Sequence, residues 1–405
     1  MNNEINEIMQ KYIDDGVLAN AILIVYKNGE ITYRNKWGYS SLEDGTPVSY
    51  DSVFRMMSMS KPVTAMCVMK LVEQGKLDLD DPIEKYLPEF AEQKVALAGQ
   101  YEFSVNRLKL LKYLLTYSKD KVKSETKNRS VTVRDLLSHS SGLQQGMIGL
   151  LDLYKNKKKP TSSLKEDTER YSRSLLDFQP GTDTNYSPLA GFNVLGHLVS
   201  VISGESLESF MQREICQPLE MNSTSFFLNE DMRNRLVNVY KLKKKLVNVT
   251  DSKEDLYGVM NMVPESYEAG SGGLYSTAED YEHFARMLLN NGVYNGKKVF
   301  EPRTIELVHS PGAYEYLEKD PGLTWGLGVK IRMDPDKAHS AATKGTYGWS
   351  GAFGTHFFVS PEDGLEAVFM TNRSDMDGAS SHVSRKVEEL VFKNWGQEKT
   401  DAGKR

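Results

Sequence analysis

Apolar and polar positions along this chain change rhythm four times, and each rhythm predicts a kind of element. Near the start, NEINEIMQKYID spaces Ile5, Ile8, Met9, Tyr12 and Ile13 at three and four residues, the signature of an amphipathic helix. Two strand-like runs follow, AILIVYK and EITYRNKWGY, joined by Asn28-Gly29, a pair that accepts the left-handed backbone of a tight hairpin. From Pro62 to about Leu289 the spacing turns helical, in VTAMCVMKLVEQG, VRDLLSHSSGL, LAGFNVLGHLVSVISG and SLESFMQREIC. From Leu323 strands return in WGLGVKIR, GTHFFVS and LEAVFMTN, the last two separated by Pro361-Glu362-Asp363-Gly364, and SHVSRKVEELVFKNW closes as an amphipathic helix.

Strands at both ends with helices between predict an α/β chain of the α+β kind. An antiparallel sheet from both chain termini, flanked by helices, would receive an inserted, mainly helical lobe. The expected division is an α/β lobe over 1–57 and 290–405 and a helical lobe over 58–289, together one domain across 1–405, with the chemistry in the cleft between lobes. A chain of 405 residues exceeds the size at which one core stops growing, which fits two lobes.

Charge narrows the partners. With 50 Lys+Arg against 55 Asp+Glu the formal charge is −5, which favours neither nucleic acid nor a membrane surface and leaves a small molecule as the expected partner. Three lysine-rich patches, at 119–129, 155–159 and 241–245, read as solvated loops. The first cap helix is acidic and lacks the basic start and apolar run of a signal peptide, and no run approaches the roughly 18 apolar residues of a membrane span, so a soluble, cytoplasmic protein is expected. Cys67 and Cys216 lie far apart and resemble neither a disulfide framework nor a zinc cluster; both are expected to be buried thiols. No H-E-x-x-H or other metal spacing links the histidines, so neither metal nor cofactor is expected. The G-x-S-x-G elbow is absent, and Gly292 to Lys298 imitates a phosphate loop one residue too short, which reads as a hairpin turn.

One stretch, FRMMSMSKPVTAM, places Lys61 three residues after Ser58. Ser-x-x-Lys alone discriminates nothing, since the pattern also occurs at Ser118/Lys121, Ser124/Lys127 and Ser162/Lys165. Those three lie in polar, lysine-rich text. Only Ser58/Lys61 opens an apolar helix, with Pro62 near its start and Gly75 at its end. Residues three apart share a helix face, so the Lys61 amine reaches the Ser58 hydroxyl, whereas Ser60 points elsewhere. The helix N-terminus adds partial positive charge beside Ser58, where an oxyanion would develop. The bland alternative is a capping serine and a lysine reaching solvent.

Five blocks now appear in order: FRMMSMSKPVTAMCVMKLVEQGKLDLDDPIEKYLPEF, VTVRDLLSHSSGL, FQPGTDTNYSPLAGFNVLGHLVSVISG, GSGGLYSTAEDYEHFARMLLNNG and YGWSGAFGTHFFVSPEDGLEAVFMTN. Together, from about residue 20 to 375, they resemble the serine hydrolases related to class C β-lactamases and penicillin-binding proteins, and within them the family VIII carboxylesterases. The resemblance implies a β-lactamase/transpeptidase-like fold and a Ser58 acyl-enzyme. The family's Tyr-x-Asn corresponds to Tyr186-Ser187-Pro188, which keeps the tyrosine and loses the amide. Its Lys-Thr-Gly corresponds to Trp349-Ser350-Gly351, with no lysine for a substrate carboxylate. Family VIII esterases commonly carry tryptophan there, so the departure implies esters as substrates. By the same analogy Ser58, Lys61 and Tyr186 form the catalytic set, the N–H groups of Ser58 and Ala352 the oxyanion hole, and Trp349, Ser350 and Gly351 the substrate contacts. The alternatives are a β-lactamase or D-amino-acid amidase/carboxypeptidase and, from another class, a non-catalytic acyl-ligand receptor. The segment from Ala96 to Ser130 and the oligomeric state are left unassigned.

Overall fold

The computed structural model describes residues 3–102, 104, 106–155, 163–252, 267–313, 319–378 and 381–396. Eight strands form one antiparallel sheet: β1 (Asn20–Lys27), β2 (Glu30–Ser41), β3 (Thr46–Pro47), β4 (Leu323–Trp325), β5 (Lys330–Arg332), β6 (Tyr347–Ser350), β7 (His356–Ser360) and β8 (Leu365–Met370), in the order β4-β5-β6-β7-β8-β1-β2-β3. The first and last parts of the chain therefore meet at the centre, where β1 pairs with β8 in the register Ile22↔Met370 and Ile24↔Val368. Asn28 and Gly29 close the β1–β2 hairpin with φ of 53° and 98°, the left-handed pair that the sequence predicted.

Both sheet faces are covered, which explains why AILIVYK is continuously apolar rather than alternating. Ala21, Leu23 and Val25 point with Ala367 and Phe369 toward helix α1 (Asn3–Asp14) and toward Val383, Val387, Leu390 and Val391 of the C-terminal helix. Ile22, Ile24, Val368 and Met370 point the other way, into the larger core. That core holds helix α2 (Ser60–Glu73), α3 (Ala190–Ser203) and α4 (Ala278–Leu289); the C-terminal helix is α5 (His382–Trp395). Every residue of α2 from Ser60 to Met69 is buried, so it is a central helix enclosed on all sides. Leu23 is wholly buried, and truncating it to alanine would cost roughly 2–5 kcal/mol.

Three elements differ from the sequence reading. WGLGVKIR is not one strand: β4 ends at Trp325 and β5 begins at Lys330, because Gly326 and Gly328, the latter at φ 84°, turn the chain between them. VRDLLSHSSGL is helical only over Val133–Leu137, capped by Thr132 and ended where His139 takes φ 55°. SLESFMQREIC is α-helical over Leu207–Met211 and continues as a wider π-turn to Cys216. The Gly292 to Lys298 text is a hairpin, with Val293–Tyr294 paired to Lys297–Lys298.

In the 96–130 segment, Lys94–Ala96 pairs with Ser124–Thr126, and the helix Arg107–Thr116 packs Leu110 and Leu114 against a small cluster with Met147, Ile148 and Leu151. Lysines 243–245 are exposed at a hairpin turn, while most of the 155–159 patch falls outside the described residues. Cys67 and Cys216 are buried free thiols. Among the described residues no helix is long and apolar enough to cross a membrane.

Candidate active site

Ser58 lies in a single 3-10 turn, Met57–Met59, immediately ahead of α2. Lys61 is the second residue of α2, one turn on from Ser58, so the two side chains meet across the junction of the turn and the helix. Met57, just before the serine, has φ 50°, a strained conformation for a methionine. It persists because Met57 is wedged against Val239 and Phe353 and because Ser60 ties the turn down. The Ser60 hydroxyl donates to Met57 O (2.7 Å) and accepts from Leu274 N–H (3.0 Å). Ser60 is thus a buried brace for the turn.

Lys61 is 1% exposed, and its Nζ lies 3.2 Å from Ser58 Oγ, 2.9 Å from Pro188 O and 2.6 Å from Ser271 O. Burial lowers its pKa well below the ordinary lysine value. A neutral amine has two N–H bonds and one lone pair. Two carbonyls, which can only accept, take the two N–H bonds, and the lone pair is left to the Ser58 hydroxyl. Pro188, the position where an asparagine amide is absent, contributes through its backbone carbonyl instead.

Tyr186 comes from the loop ahead of α3, and its hydroxyl is 2.6 Å from Ser58 Oγ. The loop is pinned next door: Ser187 N–H donates to His139 Nδ1 (3.1 Å), Ser187 Oγ to Leu143 O (2.9 Å), and Gly191 N–H to Ser187 Oγ (3.1 Å). His139 thus helps anchor the loop that carries Tyr186. Its ring centroid sits 5.0 Å from that of Tyr186 and 4.3 Å from that of Trp325, and burial holds its pKa well below the usual histidine value. With Nδ1 accepting, the proton of the neutral ring is on Nε2.

Trp349 closes the other side of Tyr186, at 5.1 Å between centroids, and meets Trp325 edge to face at 4.6 Å. Trp325 in turn stacks on Tyr186 with an 11° interplanar angle. The wall where the resemblance would place a lysine is aromatic.

The hairpin from Ser350 to His356 presses on the Ser58 turn. Thr355 Oγ1 donates to Met56 O (3.1 Å), Gly351 N–H to Thr355 O (2.7 Å), and a Cβ on Gly351 would collide with Met56 O. Neither Ser58 N–H nor Ala352 N–H donates to a backbone carbonyl among the described residues. Ser58, Asn185, Tyr186, Trp325, Trp349, Ser350 and Ala352 line one cleft of about 340 Å³. The structure thus brings Ser58, Tyr186, Trp349, Ser350 and Ala352 to one cleft, with Lys61 beside Ser58 and Gly351 packed on Met56 rather than lining it. It adds Trp325, Asn185 and the Asp320–Lys330 ion pair at the cleft and His139 behind it, none of which carried a spacing signal.

The β-lactamase family profile matches residues 5–390 of the chain. Protein Rv1367c of Mycobacterium tuberculosis (strain ATCC 25618 / H37Rv) is 28% identical over 375 residues, covering 89% of this chain and 88% of that protein. Esterase EstB of Burkholderia gladioli is 26% identical over 395 residues, covering 93% and 91%. Among solved structures, EstCE1, described as a hydrolase with promiscuous acyltransferase activity, shares the fold with a TM-score of 0.77 at 23% identity, over 96% of this chain and 98% of that one. With a match running almost from end to end, the chain belongs to the β-lactamase family.

Proposed function

We propose that the protein is a serine carboxylesterase that cleaves or transfers the acyl group of small to medium esters through an acyl-enzyme on Ser58. The observation that carries the reading is the Ser58 hydroxyl held between the Lys61 amine and the Tyr186 hydroxyl, with both amine N–H bonds engaged by carbonyls. Ser58 Oγ attacks the ester carbonyl while Lys61 takes its proton, and the C–O double bond opens to an oxyanion received by the N–H groups of Ser58 and Ala352. Collapse breaks the bond to the alcohol oxygen. Tyr186 shuttles the proton to that leaving oxygen, and Lys61 resupplies it. Water, or a second alcohol, then attacks the acyl-enzyme by the same path in reverse, which restores the serine. Lys61, Tyr186 and Ser58 share one mobile proton, so their titrations belong to the set.

Esters rather than lactams are supported by Trp349 and Pro188, which leave neither a lysine for a carboxylate nor a side-chain amide for a substrate amide. The likeness to EstB, named an esterase, points the same way. The test is hydrolysis of p-nitrophenyl butyrate by wild type and Ser58→Ala, with a chromogenic cephalosporin in parallel. Ester turnover that vanishes in the variant, with little lactam cleavage, is the expected result. Turnover dominated by the cephalosporin would replace the esterase reading with a lactamase one. Binding of acyl ligands without turnover would favour a receptor.

A further inference from the structure

Behind the cleft wall runs a second chain of polar side chains, which the mechanism above does not use. Ser350 and His356 are cross-strand partners at the neck of the β6–β7 hairpin, and Ser350 Oγ lies 2.7 Å from His356 Nδ1. His356 Nε2 lies 2.9 Å from Glu388 Oε1 on α5, and the same carboxylate receives Arg332 of β5. All four are largely buried, with Ser350 at 3%, His356 at 5% and Glu388 at 6% exposure. Arg332 Nε also donates to Ser340 Oγ (3.1 Å).

Serine, histidine and glutamate in a row invite comparison with a second nucleophile, but the placement argues otherwise. Ser350 is the last residue of a paired strand rather than the start of a helix, and the oxyanion donors of the site flank Ser58. The row does something else: it fixes which way the Ser350 hydroxyl points its proton. Burial alone would raise the Glu388 pKa, but the ion pair with Arg332 and the hydrogen bond from His356 hold it below the usual carboxylate value, so it is ionised and can only accept. His356 Nε2 must therefore donate, which in the neutral ring leaves Nδ1 with a lone pair. Ser350 donates to that lone pair, and its own oxygen is left with lone pairs only.

Ser350 stands where two clefts join. The cleft at Ser58 and a larger neighbouring trough of about 840 Å³ share Asp320, Lys330, Trp349 and Ser350 as a common wall. A substrate reaching from one to the other passes Ser350. We propose that the Ser350–His356–Glu388–Arg332 relay makes Ser350 an obligate hydrogen-bond acceptor, so the site selects esters that carry a hydroxyl or amide N–H near the scissile carbonyl. Ser350 is the specificity-determining residue; His356 and Glu388 position it. The inference rests on the esterase reading and names the substrate class within it.

The experiment compares matched esters within each variant: p-nitrophenyl 3-hydroxybutyrate against p-nitrophenyl butyrate on the acyl side, and 2-hydroxyethyl butyrate against ethyl butyrate on the alcohol side. Mono-p-nitrophenyl glutarate supplies a carboxylate. A well-made hydrogen bond is expected to give the hydroxylated ester of one pair a kcat/KM roughly tenfold above its partner in wild type. The ratio should fall to near one in Ser350→Ala and survive in Ser350→Thr, which keeps the hydroxyl. In His356→Phe, which keeps the ring and removes the acceptor, the Ser350 proton is released toward substrate. The hydroxyl preference should then vanish while the relative rate on the glutarate ester rises. Ratios are internal to each variant, so a partly unfolded fraction does not alter them. Plain esters cleaved with no hydroxyl preference in either pair, or with the glutarate ester preferred by wild type, would overturn the inference and leave the esterase reading standing. No cleavage of any ester would overturn both.

Discussion

Replacing Gly351 by alanine tests how closely the Ser350–His356 hairpin must approach the nucleophile turn. Gly351 does not need a left-handed backbone; it needs the space, because a Cβ there would fall well under 3.0 Å from Met56 O and from Thr355 Oγ1. Thr355 Oγ1 is the end of a short side chain and can rotate, but Met56 O is backbone two residues ahead of Ser58 and cannot. The hairpin must retreat by roughly 1 Å, and misplacement of that size costs on the order of 10² in rate where a reacting group is being positioned. Loss of one oxyanion donor, the role proposed for Ala352 N–H next to the substitution, is worth a similar 10²–10³, so kcat/KM on p-nitrophenyl butyrate should fall about 10²–10³-fold. The loss should appear in kcat more than in KM, since the oxyanion forms only after binding. Thermal unfolding of the same samples shows that the variant is folded. A folded Gly351→Ala with kcat within about threefold of wild type would refute the idea that this hairpin supplies an oxyanion donor.

Three further outcomes follow from the same geometry. Ser58→Ala and Ser60→Ala should separate cleanly: the first abolishes acylation and unfolds near the wild-type temperature. The second leaves the Leu274 N–H unpaired, while Met57 O keeps the Ser60 backbone N–H, so it loses about 1–3 kcal/mol of stability in denaturant titration while continuing to turn over. Lys61→Met should lower kcat by roughly 10²–10⁴. In wild type, kcat/KM should fall as pH drops through the lowered Lys61 pKa, because only the unprotonated amine accepts the serine proton; a flat profile between pH 5 and about 10 would contradict that role. Glu366, wholly buried beside Glu282 and Arg286, has its pKa pushed well above 4.5, by burial first and by Glu282 second. Its folded pKa exceeds the unfolded one, so its contribution is intact below 4.5 and is lost as pH rises, at about 1.4 kcal/mol per pH unit until the folded value is reached. Glu366→Gln should therefore gain stability over wild type with rising pH, and stability curves that stay parallel would count against a buried protonated acid.

Local signals carried the strands and the Ser58–Lys61 pair. Asn28-Gly29 announced its hairpin, the doubly buried β1 announced itself as a continuous apolar run, and Ser58 and Lys61 are close enough in sequence for spacing to pair them. Tyr186 is 128 residues from Ser58, and only the order of the sequence blocks linked the two. Glycine hid the break in WGLGVKIR, since a period of apolar residues does not show where Gly326 and Gly328 turn the chain. Trp325 and His139 carried no sequence signal; both are buried, and what makes them part of the site is the neighbour they pack on. The relay beyond Ser350 was illegible for the same reason. His356 is its strand partner, but Glu388 and Arg332 arrive from a helix and a strand whose contact depends on the whole sheet. Pro188 taught the opposite lesson, since a side chain that looked like a loss turned out to offer a backbone carbonyl to Lys61.

The most direct test of Ser58 as the activated nucleophile is covalent labelling by a fluorophosphonate, read by intact mass and peptide mapping. One adduct on Ser58, formed rapidly in wild type and much more slowly in Lys61→Met, is the predicted result. No adduct at all, or an adduct on Ser60 or Ser350 with Ser58 unmodified, would contradict it.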